Sequence, residues 1–471
     1  MKETKIFSSH ISSDYPENFD MKSFYNSLRQ AATSSIWFEV SETVNNDNHR
    51  LVFIAAESIA SLQSNNVNKL QYRSGEKTET IETDELNFWD KTAEWQKKNI
   101  PENNSHPYNG LLGFSSYDSI QLIENISLKK YAEERESSHL PLFKFSLYRY
   151  IYVFNITLSQ VVCINNYYDG ESEEMTEMKE QLKNTLNTGL NGFLVSDAEE
   201  KDCTEEEFLE KVNKAKHHCQ IGNVFQLVVS RRFSRNYTGD PWTFFVKLKN
   251  NSAQYYFFLE EENYTIAGAS PETHFSSSDG LAIVKPIAGT YKKTMHKEKD
   301  ALLEKELLAD PKENAEHNML VDLARNDLSR YAKDVYISKL KTIEHYNNVI
   351  HMVSQVQGQL NTELNTVRLI KEFLPAGTLS GAPKYKAVQL IDDIESSSRS
   401  YYGGLLGWIG FNNDINTCIL IRSTLFENGM MTYRAGAGVV ISSDPQKELE
   451  EVNNKITLIL NTLKEFRSYT L

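Results

Sequence analysis

The stretch DPKENAEHNMLVDLARNDLSR, residues 310–330, places two glutamates three positions apart at the start of an apolar run. Glu313 and Glu316 share one face of the predicted helix, and like charges at that spacing repel slightly unless a positive charge lies between them. Asp310 can cap the helix and Pro311 suits its first position, so Glu313 falls at the third position and can bond back to the cap. Glu316 has no capping role, so this face is either solvated or holds a cation.

A second acidic pair lies near the C-terminus in SDPQKELEEVNNK, where Glu448 and Glu451 are three positions apart and Lys455 follows one turn later. Two helices that each offer inward carboxylates form an oxygen-rich cage suited to Mg²⁺, which prefers few carboxylates, some waters and an anionic substrate. The alternative is a solvated helix face, because Glu and Lys at four-residue spacing are common on exposed helices. The residues alone leave both interpretations open.

The bulk composition limits the class of protein. At 471 residues the chain exceeds one ordinary core, which predicts two regions or one very large layered domain. A net charge of −14 argues against a nucleic-acid-binding protein, although a locally positive cleft can still bind a small anion. The sequence shows neither a secretory segment nor an apolar run of the about 20 residues that a membrane helix needs. Four scattered cysteines predict reduced thiols in a cytoplasmic protein.

The character of the chain changes near residue 200. Before it, short strand-like runs alternate with polar connectors; at residues 196–207 an acidic link follows, in which Thr204 and Glu207 form a capping box. We therefore divide the chain into an N-terminal effector and partner region, 1–195, and a catalytic region, 200–471. Helices and strands then come in mixed order without strict βαβ alternation, which favours an α+β fold with largely antiparallel sheets.

Hydrophobic periodicity predicts the elements of the second region. The predicted helices cover residues 205–220, 312–325, 365–374 and 382–393, and a last helix begins at Asp444-Pro445. The predicted strands cover residues 224–233, 283–287, 404–411, 416–424 and 431–441.

Two glycine-bearing segments, PAGTLSGAPK at 375–384 and RAGAGVVI at 434–441, let the backbone approach a ligand and present N–H groups to an anion. Their alternatives are a tight turn into a helix and a bulged strand. In NTCILIRST, alternation puts Arg422 on the same strand face as Cys418, where the arginine needs a structural or a ligand carboxylate. His351 lies among apolar residues, a setting more typical of a hydrogen-bonded core histidine than of a catalyst.

Together these motifs resemble the chorismate-utilising enzymes, above all the large aminating subunits of anthranilate synthase. The matching segments cover about residues 205–465 and run in the order GNVFQLVVSRRF, ASPETHF, KPIAGT, LLADPKENAEHNMLVDLARNDLSR, HMVSQVQG, PAGTLSGAPK, GLLGWIGF, NTCILIRST and AGAGVVISSDPQKELEE. The resemblance implies an α+β fold in which two mostly antiparallel β-sheets pack as a sandwich with helices outside. It also implies chorismate as substrate, Mg²⁺ as cofactor and a glutamine amidotransferase subunit as the ammonia-supplying partner.

The resemblance implies a role for each matching position. These are the metal ligands Glu316 and Glu451, their supporting carboxylates Glu313 and Glu448, the general acid Glu272, the active-site residues His351 and Thr378, and the substrate-binding residues Tyr402, Arg422, Gly436, Gly438 and Lys455. The chemistry suits these residue types, since hydroxide leaves a ring poorly unless a carboxylic acid in a dry pocket protonates it.

Further positions separate the members of this family. Gln226 stands where the isochorismate-forming members carry a water-activating lysine, and Ala288 stands where some aminodeoxychorismate synthases carry a nucleophilic lysine. Both residues favour direct attack by ammonia and the ortho product.

Tryptophan inhibition would involve Glu57 and Ser58 in IAAES, but this segment and NSAQYY at 251–256 depart from the LLES and NPSPYM of inhibited relatives. Aminodeoxychorismate synthase component I is the alternative, and a non-catalytic chorismate-binding relative is the third.

Overall fold

The computed structural model of the protein describes residues 5–469 except 17, 45–46, 85–86, 105, 185–187, 250–252, 295, 346–348, 362–365 and 467. Within these residues the chain forms eleven α-helices: α1 (Met21–Ala31), α2 (Phe88–Lys98), α3 (Lys129–Glu134), α4 (Met175–Lys183), α5 (Glu205–Gln220), α6 (Pro241–Leu248), α7 (Lys297–Ala309), α8 (Pro311–Ser329), α9 (Thr366–Phe373), α10 (Lys384–Ile394) and α11 (Pro445–Leu463). The described strands are β1 (Ile6–Asp14), β2 (Ser35–Val44), β3 (Asp47–Asn66), β4 (Lys69–Ser74), β5 (Lys77–Glu82), β6 (Gly110–Ser115), β7 (Phe143–Asn155), β8 (Gln160–Tyr168), β9 (Phe193–Ser196), β10 (Glu200–Lys201), β11 (Gln226–Gly239), β12 (Tyr255–Glu260), β13 (Thr265–Ser270), β14 (Thr273–Ser278), β15 (Leu281–Val284), β16 (Ile287–Lys292), β17 (Ala332–His345), β18 (Val349–Leu360), β19 (Gly381–Ala382), β20 (Leu405–Gly410), β21 (Ile415–Ile419), β22 (Ser423–Glu427), β23 (Met430–Val439) and β24 (Ser468–Tyr469).

The strands pair antiparallel, with β9 and β24 as a parallel exception in the described part of the chain. Strands from the first 200 residues pair with later ones: β2 runs beside β12, with Phe38 opposite Phe257, and β6 runs beside β20, with Leu112 opposite Trp408. Helices and antiparallel strands in mixed order make this the predicted α+β fold. The division into regions 1–195 and 200–471 stays a prediction.

Successive side chains of a strand point to opposite sides, and in β2 the side chains on both sides are buried. Trp37 packs against Trp242 of α6, with ring centroids 5.9 Å apart. The next residue, Phe38, packs against Phe53 and Tyr255 at 6.1 and 6.0 Å, in a cluster formed largely by strand residues. The curled antiparallel sheet therefore encloses one apolar core and carries helices on its other face, which agrees with the predicted sandwich.

Local signals placed several elements correctly. Helix α5 spans the predicted residues 205–220, and its capping box is present: Glu207 N donates to Thr204 Oγ1 at 3.2 Å, and Thr204 N donates to Glu207 Oε2 at 2.7 Å. Helix α11 begins at Pro445 with Asp444 as its cap, as predicted. No helix in the described residues is long and apolar enough to cross a membrane. The four cysteines are free thiols, as predicted.

Two predicted strands are wrong because each is interrupted. The strand predicted at 283–287 is divided at Lys285 and Pro286, since proline has no N–H for the ladder. The strand predicted at 416–424 ends at Ile419 and resumes at Ser423, because Arg422 adopts a left-handed φ of +53°. Simple alternation through NTCILIRST therefore does not describe the position of the arginine.

Candidate active site

Two neighbouring strands are interrupted side by side. The first break separates β13 from β14 and contains Pro271 and Glu272. The second separates β21 from β22 and contains residues 420–422, including Arg422. The two breaks are adjacent because β13 pairs with β22 and β14 pairs with β21. Backbone hydrogen bonds connect the interruptions: Ala269 N donates to Arg422 O at 3.1 Å, and Ile419 N donates to Glu272 O at 3.1 Å. The paired interruption therefore fixes an acid and a guanidinium near each other.

Glu272 has the environment of an acid that is protonated near neutral pH. Thr378 Oγ1 donates a hydrogen bond to Glu272 Oε1 at 3.0 Å. Burial raises the pKa of Glu272 to about 7, although the Thr378 hydrogen bond and the charges of Lys455 and Arg422 act in the opposite direction. A carboxyl group with a pKa near the working pH is suited to general acid catalysis. The structure thus brings together four of the predicted site residues.

Helix α11 places charged groups against strand β23. Lys455 Nζ donates to Gly436 O at 2.8 Å and forms an ion pair with Glu451 Oε1 at 2.5 Å. Glu448, one turn earlier, is only 5% exposed. Asp444 caps the helix through Lys447 N at 3.1 Å. The glutamate-bearing face of α11 is therefore directed partly into the protein, and the solvated alternative is wrong for Glu448.

Arg422 is a partly buried cation among acidic and phenolic groups. Burial lowers the pKa of Arg422, and the neighbouring Tyr402, Glu451 and Glu272 act to raise it. Burial raises the pKa of the Tyr402 hydroxyl, which is 3% exposed, while the charges of Arg399 and Arg422 oppose that change. A guanidinium held this way suits bidentate binding of a ligand carboxylate.

Strand β23 brings Gly438 beside Gln226. A Cβ atom on Gly438 would lie 2.4 Å from Gln226 Nε2, so the glutamine amide rests against the strand backbone. The register of β11 with β23 is continuous from Leu227–Val439 to Asn236–Met430. The alternative of a bulged strand in RAGAGVVI is therefore wrong, and the glycines serve close approach.

His351 lies on β18, where this strand pairs with β16. Burial lowers the pKa of His351, whereas a hydrogen bond to the Gly289 backbone and the charge of Glu344 raise it, and Arg422 lowers it further. Gly289 has a φ of +76°, and a Cβ atom there would lie 3.1 Å from Glu313 Oε2. The histidine, the glycine turn and the first-turn glutamate of α8 are therefore neighbours.

Helix α8 begins as the sequence predicts. Pro311 is its first residue, and Glu313 N donates to Asp310 Oδ1 at 3.1 Å. Glu316 follows on the same helix and is half-buried. Across the described residues, no three His, Cys, Asp or Glu side chains lie close enough together to hold a metal ion. Metal ligation by Glu316 and Glu451 stays a prediction.

An ionic network that sequence reasoning missed lies behind these residues. Arg399 Nε donates to Glu395 Oε2 at 3.0 Å, and Arg434 Nη1 donates to the same oxygen at 3.2 Å. All three residues are at most 3% exposed. Burial alone would raise the pKa of Glu395, but Arg399 and Arg434 hold it below its usual value. The available signal was Arg434 itself, a charge in the otherwise apolar RAGAGVVI.

This network supports the site through the backbone. Arg399 donates to the carbonyl groups of Leu379 and Val228. Leu379 directly follows Thr378, and Val228 lies opposite Gly438 in the strand register. The guanidinium therefore ties the threonine loop to strand β11.

Of the predicted effector and specificity residues, the structure describes the side chains of only some. Glu57 has a φ of +64°, and its Oε1 accepts a hydrogen bond from Arg149 Nε at 2.8 Å. Ser58 is buried, 6% exposed. The side chain of Ala288 and residues 251–252 of NSAQYY lie outside the described part of the structure. An effector role for Glu57 and Ser58 stays a prediction.

Comparison with known proteins identifies the family to which this constellation belongs. The family model of the chorismate binding enzyme matches residues 8–461. The chain belongs to the chorismate binding enzyme family. It is 34% identical to anthranilate synthase component 1 of Acetivibrio thermocellus over 78% of this chain and 76% of that protein, and 32% identical to that of Aquifex aeolicus over 82% of each. The crystal structure of anthranilate synthase component I from Streptococcus pneumoniae is 29% identical, covers 87% of this chain and 92% of that chain, and has a TM-score of 0.75.

In this chorismate binding enzyme, Gly289→Ala is expected to affect both stability and activity. Gly222→Ala is the control, because Gly289 and Gly222 have nearly equal φ angles, +76° and +78°. Both variants therefore carry the backbone strain of a non-glycine residue, about 1–2 kcal/mol. A Cβ atom on Gly289 also meets Leu307 Cδ1 at 2.6 Å and Glu313, whereas none of the described atoms lies within 4 Å of one on Gly222. Urea unfolding should show a larger loss for Gly289→Ala, accompanied by lower kcat/KM. Equal losses in both variants would contradict a role for this contact.

Proposed function

We propose that this chain is the chorismate-converting component of an anthranilate synthase, an enzyme that forms anthranilate and pyruvate from chorismate and ammonia. The observation that carries the proposal is the partly buried Glu272 carboxyl, with a pKa of about 7, beside Thr378 and close to the charges of Arg422 and Lys455. Such a group can protonate a leaving hydroxyl in a setting that also attracts an anionic substrate. Membership of the family supplies chorismate as that substrate.

Chorismate has two carboxylates, and this site offers separate partners for them. Arg422, with Tyr402 beside it, would hold one carboxylate through charge-assisted hydrogen bonds. The backbone of β23 at Gly436 and Gly438 would approach the same end of the substrate, because neither glycine has a side chain to block it. Lys455, already bonded to Gly436 O, adds positive charge. These contacts would fix the orientation of the ring next to Glu272.

Glu272 would act on the allylic hydroxyl as ammonia attacks the ring. Its Oε2 atom is the better candidate for the transferred proton, because Oε1 accepts the Thr378 hydrogen bond. The proton leaves with the hydroxyl as water, which removes the difficulty of expelling hydroxide. His351, which its lowered pKa keeps neutral, would accept a proton during the later loss of the enolpyruvyl group as pyruvate.

Mg²⁺ is proposed as the cofactor, and the donor set fits it. Glu316 on α8 and Glu451 on α11 would be its protein ligands, with Glu313 and Glu448 beside them on the same helices. Mg²⁺ takes few carboxylates and completes its shell with waters and substrate oxygens, so two glutamates suffice. When bound, the metal ion would orient and polarise the ring carboxylate. The ion pair of Glu451 with Lys455 places a cationic side chain next to one of the proposed ligands.

Ammonia would come from a separate glutamine amidotransferase subunit, and ammonia itself would be the nucleophile. Gln226 cannot act as a base at neutral pH, so it would not activate water in place of ammonia. Ala288 offers no amine for covalent attack on the ring. Both residues support the ortho product over 4-amino-4-deoxychorismate. Tryptophan inhibition through Glu57 and Ser58 remains part of the proposal.

Purified chain incubated with chorismate, ammonium and Mg²⁺ is expected to form fluorescent anthranilate, and chelation should abolish the reaction. Glu451→Gln should raise the Mg²⁺ concentration for half-maximal activity by about 10-fold or more, as loss of a ligand does. Titration of Mg²⁺ binding by calorimetry in the presence of chorismate provides a readout that is independent of turnover.

Glu450→Gln is the matched control, because Glu450 is the exposed neighbour on the same helix. It should leave the Mg²⁺ dependence unchanged. Formation of 4-amino-4-deoxychorismate alone would replace the proposed function by that of aminodeoxychorismate synthase. Equal Mg²⁺ dependence in both variants would contradict the ligand role of Glu451.

A further inference from the structure

Glu272 borders a second space besides the site described above. This space is a cavity of about 60 Å³, and Thr378 and Asp327 also line it. Asp327 belongs to α8 and lies eleven residues after Glu316, which corresponds to about 16 Å along the helix axis. The cavity therefore extends from the proposed acid to the C-terminal half of α8.

The cavity connects the partly buried Glu272 to charged groups near the surface. Asp327 Oδ2 lies 4.0 Å from Lys384 Nζ, and these side chains are 17% and 21% exposed. Lys285, half-buried, also lines the cavity. Asp327 is thus paired with Lys384, and Lys285 and Glu272 line the same cavity. Asp327 is the acidic group that combines this cavity with access to solvent.

His274 lines the same cavity but is not suited to carry protons. Its Nε2 lies 3.1 Å from Phe373 O and its Nδ1 lies 3.3 Å from Thr417 Oγ1, so both ring nitrogens have partners. Burial lowers the pKa of His274 to about 4. At neutral pH this histidine is uncharged and keeps its single N–H for a structural hydrogen bond.

Water can occupy such a cavity. A water molecule needs about 15 Å³ of accessible volume and two to four polar partners. The 60 Å³ cavity provides enough space for more than one water, and the carboxyl groups of Glu272 and Asp327 and the Thr378 hydroxyl provide the partners. An acid that donates a proton in each turnover must also recover one, and a water-filled path to solvent can supply that proton.

We propose that Asp327 and water in this cavity return a proton to Glu272 after each turnover. The inference rests on the proposed function, in which the Glu272 O–H bond breaks as the ring C–O bond breaks and the hydroxyl leaves as water. The Asp327 carboxylate takes up a proton from solvent and passes it to a cavity water, which in turn gives one of its protons to the Glu272 carboxylate. Asp327 acts through Glu272 and is a positioning residue, while Lys384 holds its carboxylate at the cavity.

The test compares Asp327→Asn with wild type in the ammonium-dependent reaction at saturating chorismate and Mg²⁺. The expected result is a fall in kcat of about 10-fold, smaller than the roughly 10²- to 10⁴-fold of a direct proton donor because Asp327 acts through Glu272, with KM for chorismate changed by less than about twofold. The solvent deuterium isotope effect on kcat should rise, because proton return becomes slower. Small buffer acids such as acetic acid should restore part of the rate to Asp327→Asn and leave wild type unchanged.

Two further variants keep the test decisive. Asp322→Asn lies on the same helix with a side chain that is 59% exposed and paired with Arg325, so it should behave as wild type. Asp327→Glu keeps the carboxyl and should retain most of the rate. If Asp327→Asn matched wild type, or if buffer acids restored nothing and Asp327→Glu failed equally, the relay would be refuted. Failure of the proposed function is distinct, because wild type itself would then form no anthranilate.

Discussion

Glu272→Gln is expected to lower kcat for anthranilate formation about 10²- to 10⁴-fold, the usual contribution of a general acid. KM for chorismate should change little, because the amide keeps an oxygen that accepts the Thr378 hydrogen bond and differs from the carboxyl mainly in having no proton to give. Steady-state kinetics with ammonium as nitrogen donor measures both quantities. Glu262→Gln, an exposed glutamate ten residues earlier, is the control. Undiminished turnover in Glu272→Gln would show that another group supplies the proton.

The same variant should alter the pH dependence of stability. Burial raises the pKa of Glu272 from 4.5 in the reference state to about 7 in the folded protein. The folded state thus favours the protonated form, so this stabilisation is complete below the unfolded pKa and is lost as pH rises through 7. The shift corresponds to about 3 kcal/mol between pH 4 and pH 8. Glu272→Gln should lack that loss, and urea unfolding at both pH values measures the difference. Parallel pH profiles for the two proteins would contradict the raised pKa.

Glu395→Gln is expected to lower the free energy of unfolding by about 3–5 kcal/mol, because it leaves buried arginines without their counter-charge. Arg399 and Arg434 share the Glu395 carboxylate, and all three residues are almost fully buried. Urea unfolding should show an earlier midpoint. The nearby Asp393→Asn removes an exposed carboxylate paired with Lys129 and should cost less than about 1 kcal/mol.

Activity should also fall in Glu395→Gln at temperatures where the variant remains folded. Arg399 donates to the carbonyl group of Leu379, next to Thr378, so a displaced guanidinium disturbs the hydroxyl that bonds to Glu272. Equal stability of Glu395→Gln and Asp393→Asn would mean that solvent or rearrangement compensates the arginines, contrary to the buried network described here.

The parts of the fold that sequence predicted correctly depend on local signals. Helix α5 carries its own capping box at Thr204, and α11 carries Asp444, Pro445 and an apolar stripe, so their bounds need no tertiary information. The left-handed backbone of Arg422 has no such signal, since a non-glycine residue adopts it only when surrounding contacts require it. This is why one long strand was predicted where two short ones occur.

The candidate site likewise contains residues that the sequence predicts and contacts that it does not. The motif resemblance named Glu272, Thr378, Arg422 and Lys455 individually, and the structure adds that the last three all act on Glu272. The Glu395 network could not be predicted, because its members are non-local partners: Glu395 and Arg434 are 39 residues apart and meet only in the folded chain. The burial of Glu448, in contrast to the exposed Glu451, likewise depends on how α11 packs against the rest of the protein.

The side-by-side interruption at Glu272 and Arg422 has a consequence for sequence change in this protein. Each break is bonded to the neighbouring strand, so inserting one residue before Glu272 would reverse the side to which the following strand residues project and would displace the acid relative to the guanidinium. Only a matching insertion in the adjacent strand would restore their spacing. The distance between the proposed proton donor and the proposed carboxylate anchor thus depends on the lengths of two remote segments, and a length change in either one alone should be poorly tolerated.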